Sequence, residues 1–155
     1  MGSNQDTSAR WIVDDSDSDA STAYQTTPSV SIILDNPQQE LFLLNSIVQK
    51  TIKGPVEFVI CDPGVMRFLN YSWRKINKPT DVLTFDLSSP EGDFPEGVVY
   101  IDGRMAPPLE EVLERLYHGW LHLKGFTHDT EEDTREMNRL TVALVKEGMK
   151  AVKGI

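Results

Sequence analysis

From residue 30 onward, short β-branched runs alternate with longer segments whose apolar residues recur every three or four positions. The first pattern suits buried strands and the second suits amphipathic helices. The run 30–34 predicts a strand. Asn36-Pro37 then offers a capping side chain and a first-turn proline. They would open a helix to about residue 52, with Leu41, Leu44, Val48 and Ile52 buried and Lys53-Gly54 as its stop. The nearly all-apolar run 56–61 predicts a second, central strand. Asp62-Pro63 repeats the cap-plus-proline signal before a short helix carrying Val65, Met66, Phe68 and Leu69. A polar loop, 74–79, leads to a strand over 82–85, and a loop rich in Pro, Gly and acid, 88–97, leads to another over 98–101. Pro107-Pro108 opens a helix with the apolar stripe Leu109, Val112, Leu113, Leu116, Trp120 and Leu121. Thr130, followed by Glu131, Glu132 and Asp133, places a capping hydroxyl and acids at the start of a last helix. That helix runs to about residue 152 and buries Met137, Leu140, Leu144 and Val145. Interspersed strands and helices with short connections predict an α+β or mixed α/β layer fold, a small mixed sheet packed with helices.

The first 28 residues do not share the pattern. They are rich in Ser, Asp and Thr around Asp14-Asp15-Ser16-Asp17-Ser18-Asp19. So polar a stretch cannot bury enough surface to offset its ordering entropy, and it reads as a disordered acidic arm ahead of one folded domain, 29–155. Its acidity argues against a transit peptide, and it lacks the basic and apolar regions of a signal peptide. No apolar run is long enough for a membrane span. With a net charge of −9, the chain has no general attraction for nucleic acid, so any RNA chemistry must rest on a local basic patch or a partner. The single cysteine, Cys61, falls in the apolar run 56–61 and reads as a small core residue of a reducing compartment. A soluble cytoplasmic protein is the expectation.

All three histidines of the 155-residue chain fall between His118 and His128. His118 and His122 differ by one helical turn plus about 40°, so both imidazoles leave the same helix face. Gly125 can take the left-handed conformation that ends a helix and turns the chain back, bringing His128 to the same point. Three neutral imidazoles with a fourth position open are the arrangement of a catalytic zinc, whereas structural zinc is usually closed by four protein ligands. Imidazole also suits iron and nickel, but the cluster holds no carboxylate to complete a facial triad, which favours zinc.

His118-Gly-Trp-Leu-His122-Leu-Lys-Gly125-Phe-Thr-His128 resembles the signature of the YbeY family of metal-dependent endoribonucleases. A second block, from Leu69-Asn70 through Trp73-Arg74 to Pro79-Thr80-Asp81-Val82-Leu83-Thr84-Phe85, is similar to another motif of that family. The resemblance implies a compact zincin-like domain, one zinc ion on His118, His122 and His128, and cleavage of single-stranded RNA. It further implies maturation of the 3′ end of the small-subunit (16S) ribosomal RNA, ribosome quality control, and partners among small-subunit ribosomal proteins and a ribosome-assembly GTPase. No DNA or membrane partner is expected. Arg74 corresponds to the functional arginine beside the site. The chain departs from the pattern at Thr127, where an aspartate is usual, at Glu96-Gly97, and in a shortened segment between Ile101 and His118.

Two other readings compete. Zinc peptidases share the histidine spacing but carry a general-base glutamate after the first histidine, and here that position is Gly119. A non-catalytic ribosome assembly factor with a structural zinc would need neither an open metal position nor a nearby arginine. Phosphodiester hydrolysis asks less of a positioned carboxylate, and the Arg74 guanidinium offers a planar fork of donors to a charged phosphoryl group. Arg67, Arg74, Lys75 and Lys78 form a basic cluster suited to phosphates. Trp73 has a face for stacking on bases, whereas Trp120 suits the core. Thr80 and Asp81 are expected to anchor the Arg74 loop, and Asp129 or Glu131 either to orient a ligand imidazole or to cap the last helix.

Overall fold

A computed structural model describes residues 27–34, 40–103 and 107–154. Most of the expected acidic arm and the Asn36-Pro37 cap lie outside these residues. In chain order the elements are β1 (Ser29–Ile32), α1 (Leu41–Thr51), β2 (Val56–Cys61), α2 (Pro63–Arg74), β3 (Val82–Asp86), β4 (Gly97–Asp102), α3 (Leu109–Leu123) and α4 (Glu131–Val152). The strands form one mixed sheet in the order β1-β2-β4-β3. β1 and β4 both run parallel to β2, and β3 returns antiparallel to β4. The architecture is the α+β layer fold that the pattern predicts, with β2 central.

Alternation along β2 and β4 divides the core. Phe58, Ile60, Val99 and Ile101 face a large layer with Leu44, Ile47 and Val48 of α1, with α3, and with Met137 of α4. Cys61, Leu83, Phe85 and Tyr100 face the other way, against Met66 and Leu69 of α2. Thus three helices cover one face and α2 alone covers the other.

Local signals set the helix starts. The Asp62 carboxylate accepts from the Val65 amide at 2.9 Å, with Pro63 at the first helical position. The Thr130 hydroxyl accepts from the Asp133 amide at 3.0 Å at the start of α4. One expected core residue, Leu41, and one apolar residue of α2, Phe68, are surface residues instead. Leu41 opens α1 and is exposed, because periodicity says which side a residue faces and not whether anything lies opposite. Phe68 is 68% exposed. At about 100° per residue it stands about 200° around α2 from buried Met66, so it points outward. Among the described residues, no helix is long and apolar enough to cross a membrane.

Candidate metal centre and cleft

Helix α3 carries the site and also runs through the core. Val112, Leu113, Leu116, Tyr117, Trp120, Leu121 and Leu123 are all buried on it. The Tyr117 hydroxyl lies 2.7 Å from the Thr51 hydroxyl of α1, and the Trp120 indole donates to the Lys53 carbonyl at 3.0 Å. These contacts hold the helix against rotation. His118 and His122 occupy its half-buried side. The helix then stops as expected: the Gly125 amide donates to the His122 carbonyl at 3.0 Å, and Gly125 takes a φ of +102°. The reversal brings exposed His128 beside the other two, and one ring nitrogen from each of the three lies within 4.8 Å of the others.

Gly119 lets this helix lie close to the sheet. A Cβ built there would stand 2.4 Å from Cγ1 of Val99 and 3.3 Å from the Thr84 hydroxyl oxygen. The position that holds the general base in the peptidases therefore has no room for a side chain, let alone a glutamate. The peptidase reading fails on space as well as on chemistry.

Ring geometry suits a cation. The Nε2 atoms of His118 and His122 are 3.2 Å apart. Tetrahedral bonds of about 2.0–2.1 Å to zinc would place two such nitrogens roughly 3.3 Å apart. The Phe126 carbonyl, 3.0 Å from His122 Nδ1, can only accept, so the proton resides on Nδ1 and Nε2 presents its lone pair. Burial, reinforced by His122 and His128, lowers the His118 pKa to about 4. Burial also lowers that of His122, with the Phe126 carbonyl pulling the other way. Both rings are thus held neutral, the state a metal ligand needs. The backbone carbonyl of Phe126 does the orienting that the sequence assigned to Asp129 or Glu131. Glu131 instead pairs with Arg135 at 3.6 Å on α4.

The histidines open onto a cleft of about 510 Å³ lined by Arg74, residues 80–84 of the β3 approach, Glu111, Glu114, Arg115, His118 and His122. Arg74, the last residue of α2, reaches this cleft with an exposed guanidinium that forms no ion pair among the described residues. Lys75 follows in the left-handed region at φ 60° and ends the helix by donating to the Asn70 and Tyr71 carbonyls. Thr80 and Asp81 do not tie the following loop to α2, contrary to expectation. Asn70 does, through Nδ2 to the Lys78 carbonyl at 2.9 Å, and Arg67 does, through Nε to Asn77 Oδ1 at 2.7 Å. Asp81 faces Arg115 at 3.9 Å.

Arg115 is the cleft residue that sequence reasoning missed. It lies three residues before His118, which puts it on the same helix face, and that spacing was the available signal. Its guanidinium donates to the Asp102 carbonyl and approaches Glu111 at 3.5 Å. Trp120 is a core residue, as expected. Trp73 is 69% exposed, with its ring edge-on to Phe85 at 5.6 Å between centroids. In place of the usual aspartate, the Thr127 hydroxyl donates to Asp133 at 3.3 Å, linking the histidine turn to α4.

The sequence profile of the family described as Endoribonuclease YbeY matches residues 30–148. Among the chain's relatives, the protein named Endoribonuclease YbeY of a Nitratiruptor species is 33% identical over 121 residues, covering 73% of this chain and 83% of the relative. That of Rubrobacter xylanophilus is 34% identical over 101 residues, covering 65% and 70%. That of Bradyrhizobium diazoefficiens is 31% identical over 116 residues, covering 64% of this chain and 63% of the relative. A Thermotoga maritima protein of known solution structure superposes with a TM-score of 0.51 at 26% identity, covering 81% of this chain and 92% of that one.

Proposed function

Because the chain belongs to the YbeY endoribonuclease family, we propose that it is a zinc-dependent endoribonuclease acting on single-stranded RNA. The observation that carries the reading is one cleft lined by both His118 and His122, of the three-imidazole cluster, and by Arg74, which forms no ion pair among the described residues. His118, His122 and His128 would hold the ion. When bound, zinc supplies a hydroxide near neutral pH and a Lewis acid for a phosphoryl oxygen. The protein's own residues do the rest. Arg74 presents its fork of donors to the phosphoryl oxygens that gain charge as the bond to the leaving oxygen breaks. Arg115, fixed by the Asp102 carbonyl, lines the same cleft with its charge balanced by Asp81 and Glu111. The half-buried rings of His118 and His122 stay neutral, so protons compete little with the ion for their lone pairs.

The biological reading follows the family: 3′-end maturation of 16S ribosomal RNA and ribosome quality control in the cytoplasm, beside small-subunit proteins and an assembly GTPase. A purely structural metal in a non-catalytic assembly factor is the second reading. Against it stands the cleft arginine, Arg74, which a structural site has no use for.

The deciding experiment incubates purified protein with a labelled single-stranded RNA, with and without a chelator, beside Arg74→Ala and Arg74→Lys. Cleavage should stop on chelation, return with zinc, and fall by about 10²–10³ in Arg74→Ala. Lysine should rescue only part of this, since it lacks the planar fork. Cleavage that survives complete metal removal would overturn the proposal.

A further inference from the structure

The face of α2 turned away from the sheet has a composition its fold does not require. Phe68 and Tyr71 project from it, 68% and 54% exposed. Arg67 lies within a turn of both on the same side, and Lys75, just past the end of the helix, lies beside Tyr71. A solvent-facing helix surface is ordinarily polar throughout, and aromatic rings on it gain nothing from burial. The charge is just as one-sided. From Pro63 to Thr80 there is no acidic residue, although the chain has 24 of them and a net charge of −9. This surface reaches the cleft at Arg74, the last residue of α2 and a cleft residue, whereas exposed Trp73 turns toward Phe85 of β3.

We propose that this outward face of α2 is a track for single-stranded RNA, on which Phe68 and Tyr71 stack with unpaired bases while Arg67 and Lys75 meet the phosphates. The inference rests on the nuclease reading and extends it from the cleft to a surface that grips the flanking strand. Charge chooses the occupant. A positive strip on an acidic protein complements a polyanion, and exposed rings interleaved with cations suit bases and phosphates together. Stacking also accounts for a preference for single strands, because a duplex hides the base faces that the rings need. Lys75 already lies 6.0 Å above the Tyr71 ring, so cation and aromatic form one unit.

The test uses the full chain with chelator present, so that strands are bound without being cut, and follows fluorescence anisotropy of a labelled unstructured oligoribonucleotide. Phe68→Ala and Tyr71→Ala should each weaken binding about tenfold. Lys75→Ala should weaken it and flatten its salt dependence. An abasic strand of the same length should respond to Lys75→Ala and be indifferent to Phe68→Ala. Phe42→Ala, at a still more exposed ring on α1, should bind as wild type. In metal-loaded protein, the two aromatic substitutions should raise KM for a long strand more than they lower kcat. Wild-type affinity in both aromatic variants, or an equal loss for duplex and abasic strands, overturns the track. If those variants bind normally while wild type still cuts RNA, only the track falls. If wild type neither binds nor cuts RNA, the nuclease reading falls and takes the track with it.

Discussion

Gly119 of α3 and Val99 of β4 meet so closely that the helix rests on the sheet without an intervening side chain. Gly119→Ala would gain about 1 kcal/mol of helix propensity. It would also incur an overpacking cost of about 1–3 kcal/mol against a stiff β-branched neighbour. A net loss of up to about 2 kcal/mol in urea denaturation is expected. The double variant with Val99→Ala should recover part of it, which a double-mutant cycle would read as coupling. Gly119→Glu should fail to fold natively and should acquire no peptidase activity.

Metal removal should lower stability without abolishing the fold. The helix that bears His118 and His122 is anchored by Tyr117 and Trp120 independently of any ion. A ligand that binds only the native state at a hundred times its Kd contributes about 2.7 kcal/mol. Thermal scans of wild type with and without chelator should therefore differ by several degrees. His122→Ala should melt at the chelated wild-type temperature whether or not chelator is added.

Asn70, only 3% exposed, gives its amide hydrogen to the Lys78 carbonyl, and its Oδ1 has no partner among the described residues. Asn70→Asp places a buried acceptor against a carbonyl and should cost at least about 2 kcal/mol. Asn70→Leu removes the orphaned oxygen along with the donor and should cost less. Chemical denaturation of the two variants would establish the order, and equal losses would count against this account.

Burial, with Asp62 and Asp102 adding to it, pushes the Cys61 thiol up to about 12 from an ordinary 9.0. A pKa raised in the folded state means the unfolded chain loses its proton first. The associated stability is therefore complete below about pH 9 and is lost as pH rises toward 12. Thiolate is the reactive form, so iodoacetamide at pH 8 should label native protein far more slowly than urea-unfolded protein. Labelling at the unfolded rate would mean that the thiol is not enclosed with Met66 as observed.

What the sequence disclosed follows from how local each signal is. The Asp62 and Thr130 caps are read within four residues, and so were legible. The histidine cluster is equally local: a helical pair, one glycine and one further imidazole. The order β1-β2-β4-β3 was not legible, because pairing joins β2 to β4 across an intervening helix and strand. Nor was the acceptor for His122, since Phe126 supplies a carbonyl that every residue type carries. The loop behind Arg74 was assigned to Thr80 and Asp81 because they adjoin it in sequence. Its real anchors, Arg67 and Asn70, are on the preceding helix, where only folding brings them near.

Helix α3 is at once the spine of the molecule and the bearer of two of its three imidazoles, and this constrains how the protein can change over time. A substitution along that spine disturbs architecture and reactivity together. The outer surface of α2 has no such double duty. Lineages seeking new targets would find their room for variation there, keeping an old reaction while choosing fresh molecules on which to perform it.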